Sequence, residues 1–191
     1  MDRKLGFYVN CINSAKPWET LRVGKSLGFQ TFFTTDYDDE TLSKLKNTAD
    51  ELDMQFEFIH APWGDINDMW TADEDPEIFN GIEKCIRQAS KYGADGIIIH
   101  VSSGYHPPKI CDKGLKRYDR LIALAKELGV NVAFENLRKI GNVAYMMERY
   151  EDEPHVGFCY DTGHAHCYTE KSIPWLDLFL LCIVVQVLNL L

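Results

Sequence analysis

Leu128-Gly129-Val130-Asn131-Val132-Ala133-Phe134-Glu135-Asn136 is the stretch that decides how this chain folds. A helix ends at Leu128. Gly129 stands where the chain must turn left-handed to leave that helix. A short apolar strand follows, and it ends in an ionisable side chain. The same pattern occurs three more times: Leu27-Gly28-Phe29-Gln30-Thr31-Phe32-Phe33, Leu52-Asp53-Met54-Gln55-Phe56-Glu57-Phe58 and Tyr92-Gly93-Ala94-Asp95-Gly96-Ile97-Ile98. In one copy Asp53 takes the place of the glycine.

Working outward, the segments before these turns have helical periodicity. Leu42, Leu45, Ala49 and Leu52 fall on one face. So do Ile78, Ile82, Cys85, Ile86 and Ala89, and later Leu121, Ile122, Ala125 and Leu128. Asp75-Pro76 reads as an N-cap and first-turn proline. Strands are expected at Leu5–Asn10, Thr31–Thr35, Gln55–His60, Gly96–Val101, Asn131–Asn136 and Val156–Asp161. Near-continuous apolar strands alternating with amphipathic helices imply a parallel sheet covered by helices. The repeat length suits a doubly wound sheet or a TIM barrel. A complete barrel needs eight units and ~250 residues. Six strands are visible by Asp161, a seventh fits within Cys182–Leu188, and no room remains for an eighth. No linker divides residues 1–191, so one domain is expected.

The chain has 191 residues, with 20 basic and 29 acidic side chains and a formal net charge of −9. That balance argues against a protein that grips nucleic acid by its phosphates. None of the six cysteines forms a C-x-x-C pair, so a zinc ribbon is not expected. The N-terminus has no apolar signal-peptide stretch. A cytoplasmic protein with free thiols is the simplest expectation. Residues 176–191 are apolar except for Asp177, Gln186 and Asn189. That run is shorter than the ~20 residues of a membrane span. It reads as a buried helix and strand, or as an aberrant tail, and no membrane association is expected.

Parallel α/β folds carry their sites at the carboxyl ends of the strands. Those ends bear Asn10, then Thr35 and Asp36, His60, His100, Glu135 and Asn136, and Asp161 with His164 and His166. Asn10 or Asp36 alone reads as a cap or a satisfied polar group. As a set, carboxylates and imidazoles converging on one rim suit a divalent metal or sugar hydroxyls. Glu135 ends a buried strand, so its charge must be paired, hydrogen-bonded or metal-bound. An ion pair with Arg138 is the structural alternative. Asp161 could cap the next helix. His164, three residues on, can share its site, and Gly163 lets the backbone come close.

Phe134-Glu135-Asn136 and Cys159-Tyr160-Asp161-Thr162-Gly163-His164 resemble the xylose isomerase-like TIM-barrel superfamily. This superfamily includes the sugar phosphate isomerases/epimerases, ketose 3-epimerases, hydroxypyruvate isomerases, inosose dehydratases and endonuclease IV. His60-Ala61-Pro62 and Ile99-His100-Val101 stand at the matching earlier strand ends, and the similarity runs from Leu5 to about Trp175. The resemblance implies an incomplete (β/α) TIM barrel with six to seven of its eight units. It implies a manganese, magnesium or cobalt ion held by Glu135 and Asp161, weakly bound because the family's further His and Glu have no counterpart. Gln186 lies roughly where that His would fall. Glu135 would also be a catalytic acid/base whose partner is missing. His164 would bind a substrate oxygen, and His60, His100 and Trp18 or Trp63 would line the sugar pocket.

The implied reaction is proton transfer through an enediolate on a small sugar, a sugar phosphate or a hydroxy-ketone. In a chain this short it would be impaired, and open sheet edges would favour self-association. Two alternatives stay open: an endonuclease IV-like phosphodiesterase, whose ligands His60, His100, Glu135, Asp161 and His164 all match, and a non-catalytic barrel fragment or sugar-binding module. No Gly-rich phosphate cradle stands out.

Overall fold

The left-handed residues that the repeat demands are in place: Gly28, Asp53, Gly93 and Gly129 have φ of 91°, 49°, 70° and 68°. The computed structural model describes residues 4–168 and the backbone of the strand Cys182–Val185. The strands are β1 (Gly6–Tyr8), β2 (Thr31–Thr34), β3 (Gln55–His60), β4 (Gly96–Ile99), β5 (Asn131–Glu135), β6 (Val156–Asp161) and β7 (Cys182–Val185). The helices are α1 (Pro17–Ser26), α2 (Asp39–Leu52), α3 (Asp68–Thr71), α4 (Glu77–Tyr92), α5 (Asp112–Leu128), α6 (Ile140–Arg149) and α7 (Thr162–Tyr168).

All neighbouring strands are parallel, and the sheet order is β1-β2-β3-β4-β5-β6-β7. Each unit adds its strand beside the last. A doubly wound sheet would reverse direction part-way, so this is the wall of an incomplete TIM-type barrel. The expected seventh strand is present as β7, in register with β6 from Phe158↔Cys182 to Asp161↔Val185. The remainder of the apolar tail lies outside the described residues. Among those residues no helix is long and apolar enough to cross a membrane.

The two faces of the wall are packed differently. Phe32, Phe56, Ile97, Ile99, Val132, Phe134 and Phe158 join the predicted faces of the helices in one large core. Phe58, Ile98, Ala133 and Cys159 form a second cluster on the other face, joined by Phe33. Tyr8, Phe33 and Phe58 stack in a row on that inner face, with centroids 5.1 and 4.5 Å apart. Period-2 alternation thus separates a helix-facing layer from a barrel-interior layer.

One local expectation differs. Pro76, not Asp75, is the residue before α4, and no side chain caps that helix. Asp75 instead binds Arg117 at 3.3 Å and Arg120 at 2.7 Å. Two guanidinium groups hold the carboxylate more strongly than one backbone N–H would. Buried Arg117 also donates to the carbonyls of Asp68, Met69, Ala72 and Glu74, which fastens the segment between β3 and α4. Trp70 Nε1 and Tyr118 Oη both donate to the Val101 carbonyl, at 2.8 and 3.2 Å, and Tyr118 also reaches that of His100. The end of β4 is therefore held from two sides.

Candidate active site

Two residues beyond the inner cluster, the same face of the wall turns from apolar to ionisable. Phe58 is followed by His60, Ile98 by His100, Ala133 by Glu135 and Cys159 by Asp161. Side chains at i and i+2 of a strand share a face, so four adjacent strands deliver these groups to one rim. Glu135 is 4% exposed, Asp161 5% and His100 8%.

Glu135 is the centre. His60 Nε2 and His100 Nε2 lie 3.0 and 2.8 Å from its Oε2, and His164 Nδ1 lies 3.1 Å from its Oε1. The alternative pairing with Arg138 does not form. The His60 and His100 rings meet edge to face at 5.0 Å. Trp63, 48% exposed, covers them, with its ring 5.0 Å from that of His60 and 6.1 Å from that of His100. Ligand atoms of His60, His100 and Glu135 lie within 4.8 Å of one another, as do those of Glu135, Asp161 and His164.

Asn136 explains why the strand ends in Glu-Asn. Its fully buried amide donates to the Asp161 carbonyl at 2.9 Å and accepts from the Asp161 N–H at 2.7 Å, zipping β5 to β6 one step past the ladder. Asp161 caps the next helix and faces the His164 ring. Oδ1 accepts the His164 N–H at 2.6 Å and so caps α7, while Oδ2 stands 3.8 Å from His164 Nδ1. A Cβ at position 163 would sit 3.1 Å from Asp161 Oδ1, so Gly163 leaves that carboxylate its room.

Burial alone would push the Glu135 carboxyl up, but hydrogen bonds from His100, His164 and His60 outweigh it and hold the group well below the usual carboxylate range. Burial pushes His100 down. Glu135 pushes His164 up. Burial raises Asp161, partly offset by the His164 backbone N–H. The rim therefore favours a negative charge on Glu135 and strengthens the hold of the His164 imidazole on a proton.

Other expected residues lie apart. Asn10 donates to Asp36 at 2.7 Å and accepts from Thr34 at 2.9 Å, so these polar groups satisfy one another. Thr35 pairs with the Tyr8 hydroxyl at 2.9 Å. Trp18 packs on the core beneath the Lys44 ammonium, 4.6 Å from its ring centre. His166 is exposed. Sequence reasoning missed Tyr105 and Tyr168. Tyr168 packs 5.6 Å from the His164 ring and accepts from Arg138 at 2.9 Å, and the Tyr105 ring also covers that guanidinium.

The model of the xylose isomerase-like TIM barrel matches residues 21–184. The chain belongs to that family. No curated protein sequence matches it, but solved structures do. A 3-keto-D-glucoside 4-epimerase from E. coli is similar to this xylose isomerase-like barrel with TM-score 0.67 and 17% identity, over 89% of this chain and 72% of that one. The D-allulose 3-epimerase from Methylomonas sp., in complex with D-allulose, has TM-score 0.66 and 13% identity, over 87% and 65%. The D-psicose 3-epimerase from Clostridium cellulolyticum H10, with D-tagatose, has TM-score 0.66 and 16% identity, over 90% and 67%. At these identities the likeness is one of fold. The xylose isomerase-like barrel described here spans about two thirds of the length of such chains.

Proposed function

We propose that this rim is the acid–base part of a sugar isomerase or epimerase site acting on a small ketose or hydroxy-ketone. The observation that carries the proposal is Glu135, a buried strand-end carboxylate held ionised by three imidazoles from three other segments. The epimerase neighbours support the same reaction class.

The residues also fit a divalent cation. His60 Nδ1 lies 2.8 Å from the Ala61 carbonyl, which can only accept, so this nitrogen carries the ring proton. In a neutral ring Nε2 then turns a lone pair toward Glu135 Oε2. Two lone pairs 3.0 Å apart require a positive charge, either a second ring proton or a metal ion. A backbone carbonyl behind a ligating imidazole is the usual support for such a ligand. Glu135 and Asp161 would hold the ion, with the imidazoles beside them, and this donor set favours manganese or cobalt over magnesium. The ion would supply charge stabilisation for an enediolate.

Glu135 accounts for removal of the proton. Glu135 takes the hydrogen from the carbon beside the carbonyl, and the C–H electron pair becomes a C=C bond. The carbonyl π pair moves onto oxygen, where the His164 N–H donates to the growing charge. Hydrogen bonds that turn from Glu135 to substrate oxygens leave the carboxylate more basic when it must accept the proton. Return of a proton from water on the opposite face to the same carbon gives an epimer, and return from Glu135 to the neighbouring carbon, with the hydroxyl proton passing to the former carbonyl oxygen, gives an isomer.

Calorimetric titration of manganese into wild type and Glu135→Gln tests the metal half. Binding in wild type, weakened at least about tenfold by the substitution, is expected. Identical isotherms would overturn it. Four donor residues, His60, His100, Asp161 and His164, around the shared Glu135 carboxylate also favour a phosphodiesterase as second candidate. Cutting of an abasic duplex without any ketose chemistry would decide for that candidate.

A further inference from the structure

Arg138 stands at the edge of the site. Its guanidinium carbon lies 4.2 Å from the centre of the Tyr168 ring and 5.2 Å from that of Tyr105. The two rings meet at 89°, 6.4 Å apart, and so form an aromatic corner around it. One N–H goes to the Tyr168 hydroxyl at 2.9 Å. The Nε is buried and has no hydrogen-bond partner among the described residues. No carboxylate among those residues pairs with this arginine, although the chain has 29 acidic side chains to 20 basic ones. A buried donor of a charged group without an acceptor is costly and marks a missing partner. Tyr168 lies against His164, and His164 against Glu135, so the guanidinium stands one aromatic ring beyond the proton-transfer groups.

We infer that Arg138, framed by Tyr105 and Tyr168, binds an anionic group, phosphate or carboxylate, at the far end of the substrate's carbon chain. This rests on the proton-transfer role proposed for Glu135 and adds the substrate class. A planar guanidinium offers forked donors that match either anion. Stacking on two tyrosines fixes its plane beforehand and spares part of the ordering cost. A neutral ketose would leave the charge without an anionic partner.

The test compares binding of D-fructose, D-fructose 6-phosphate and D-fructuronate to the whole chain with manganese present, by calorimetry. At least one charged ligand is expected to bind roughly tenfold to a hundredfold tighter than fructose, as a charge-assisted pair implies. Which charged ligand leads tells phosphate from carboxylate. In Arg138→Met the ratio of charged to neutral affinity should fall toward one, and in Arg138→Lys it should be intermediate. Equal affinities in wild type, no binding of any of the three, or a ratio preserved in Arg138→Met would each overturn the inference. The wild-type comparison decides even if a variant does not fold. Deuterium exchange on fructose is read separately. Exchange without anion preference refutes Arg138 alone, and anion preference without exchange refutes the proton-transfer reading alone.

Discussion

Alanine is a better helix former than glycine by about 0.5–1 kcal/mol, yet Gly114→Ala in α5 should destabilise this protein. A Cβ there would stand 2.5 Å from Trp70 Cζ3 and 2.8 Å from Cδ2, with Cε3 closer still. The indole has little room to yield. It is 3% exposed, its N–H is bonded to the Val101 carbonyl, and its face lies 5.2 Å from the Tyr118 ring. Overpacking of a closed site costs about 1–3 kcal/mol, and this overlap belongs at the upper end. Subtracting the helix gain leaves a net loss of about 2 kcal/mol, or roughly 4–8 °C in Tm for a chain of this size. Urea and thermal unfolding followed by circular dichroism would measure it. Trp70→Phe makes room for the methyl group, so the double variant should lose less than the sum of the singles. Gly141→Ala in α6, where a Cβ meets nothing within 4 Å, should gain about 0.5–1 kcal/mol. A Gly114→Ala protein as stable as wild type, or strict additivity with Trp70→Phe, would refute the packing account.

Arg117→Met should cost about 3 kcal/mol in urea unfolding, because it strips the donors from the Met69, Ala72 and Glu74 carbonyls; a loss under about 0.5 kcal/mol would contradict the clamp. Glu57→Gln should behave in the opposite sense. Burial raises the Glu57 carboxyl, with the Thr31 hydroxyl only partly offsetting it, so the folded state favours the protonated form. That contribution is fully present below the unfolded carboxylate range and is lost as pH rises through the folded value. The variant should therefore be more stable than wild type at neutral pH and gain nothing in acid. A gain that persists at low pH would show another cause.

The turns, helix faces and strands were legible because each depends on local chemistry: a left-handed residue, a 3.6-residue period, a run of β-branched side chains. The convergence of His60, His100, Glu135 and Asp161 followed from placing each at a strand end. What touches what was less legible. Glu135 looked able to pair with Arg138, three residues away, but its partners come from β3, the end of β4 and α7. Contacts across the barrel rim leave no local period in sequence. Asp75 looked like a cap because it precedes a proline, and the guanidinium groups that take it lie 42 and 45 residues later. Trp18 and Trp63 could not be ranked from sequence. The fold carries only Trp63 to the imidazoles.

The central claim is that Glu135 moves a proton on a carbon beside a carbonyl. Incubating the chain and manganese with a panel of ketoses in D2O, and reading the carbon-bound hydrogens by NMR, tests it without requiring a complete epimerisation. The account predicts deuterium at the carbon next to the carbonyl in wild type and none above background in Glu135→Gln. Exchange that persists in Glu135→Gln, or its absence in manganese-bound wild type across the panel, would contradict it.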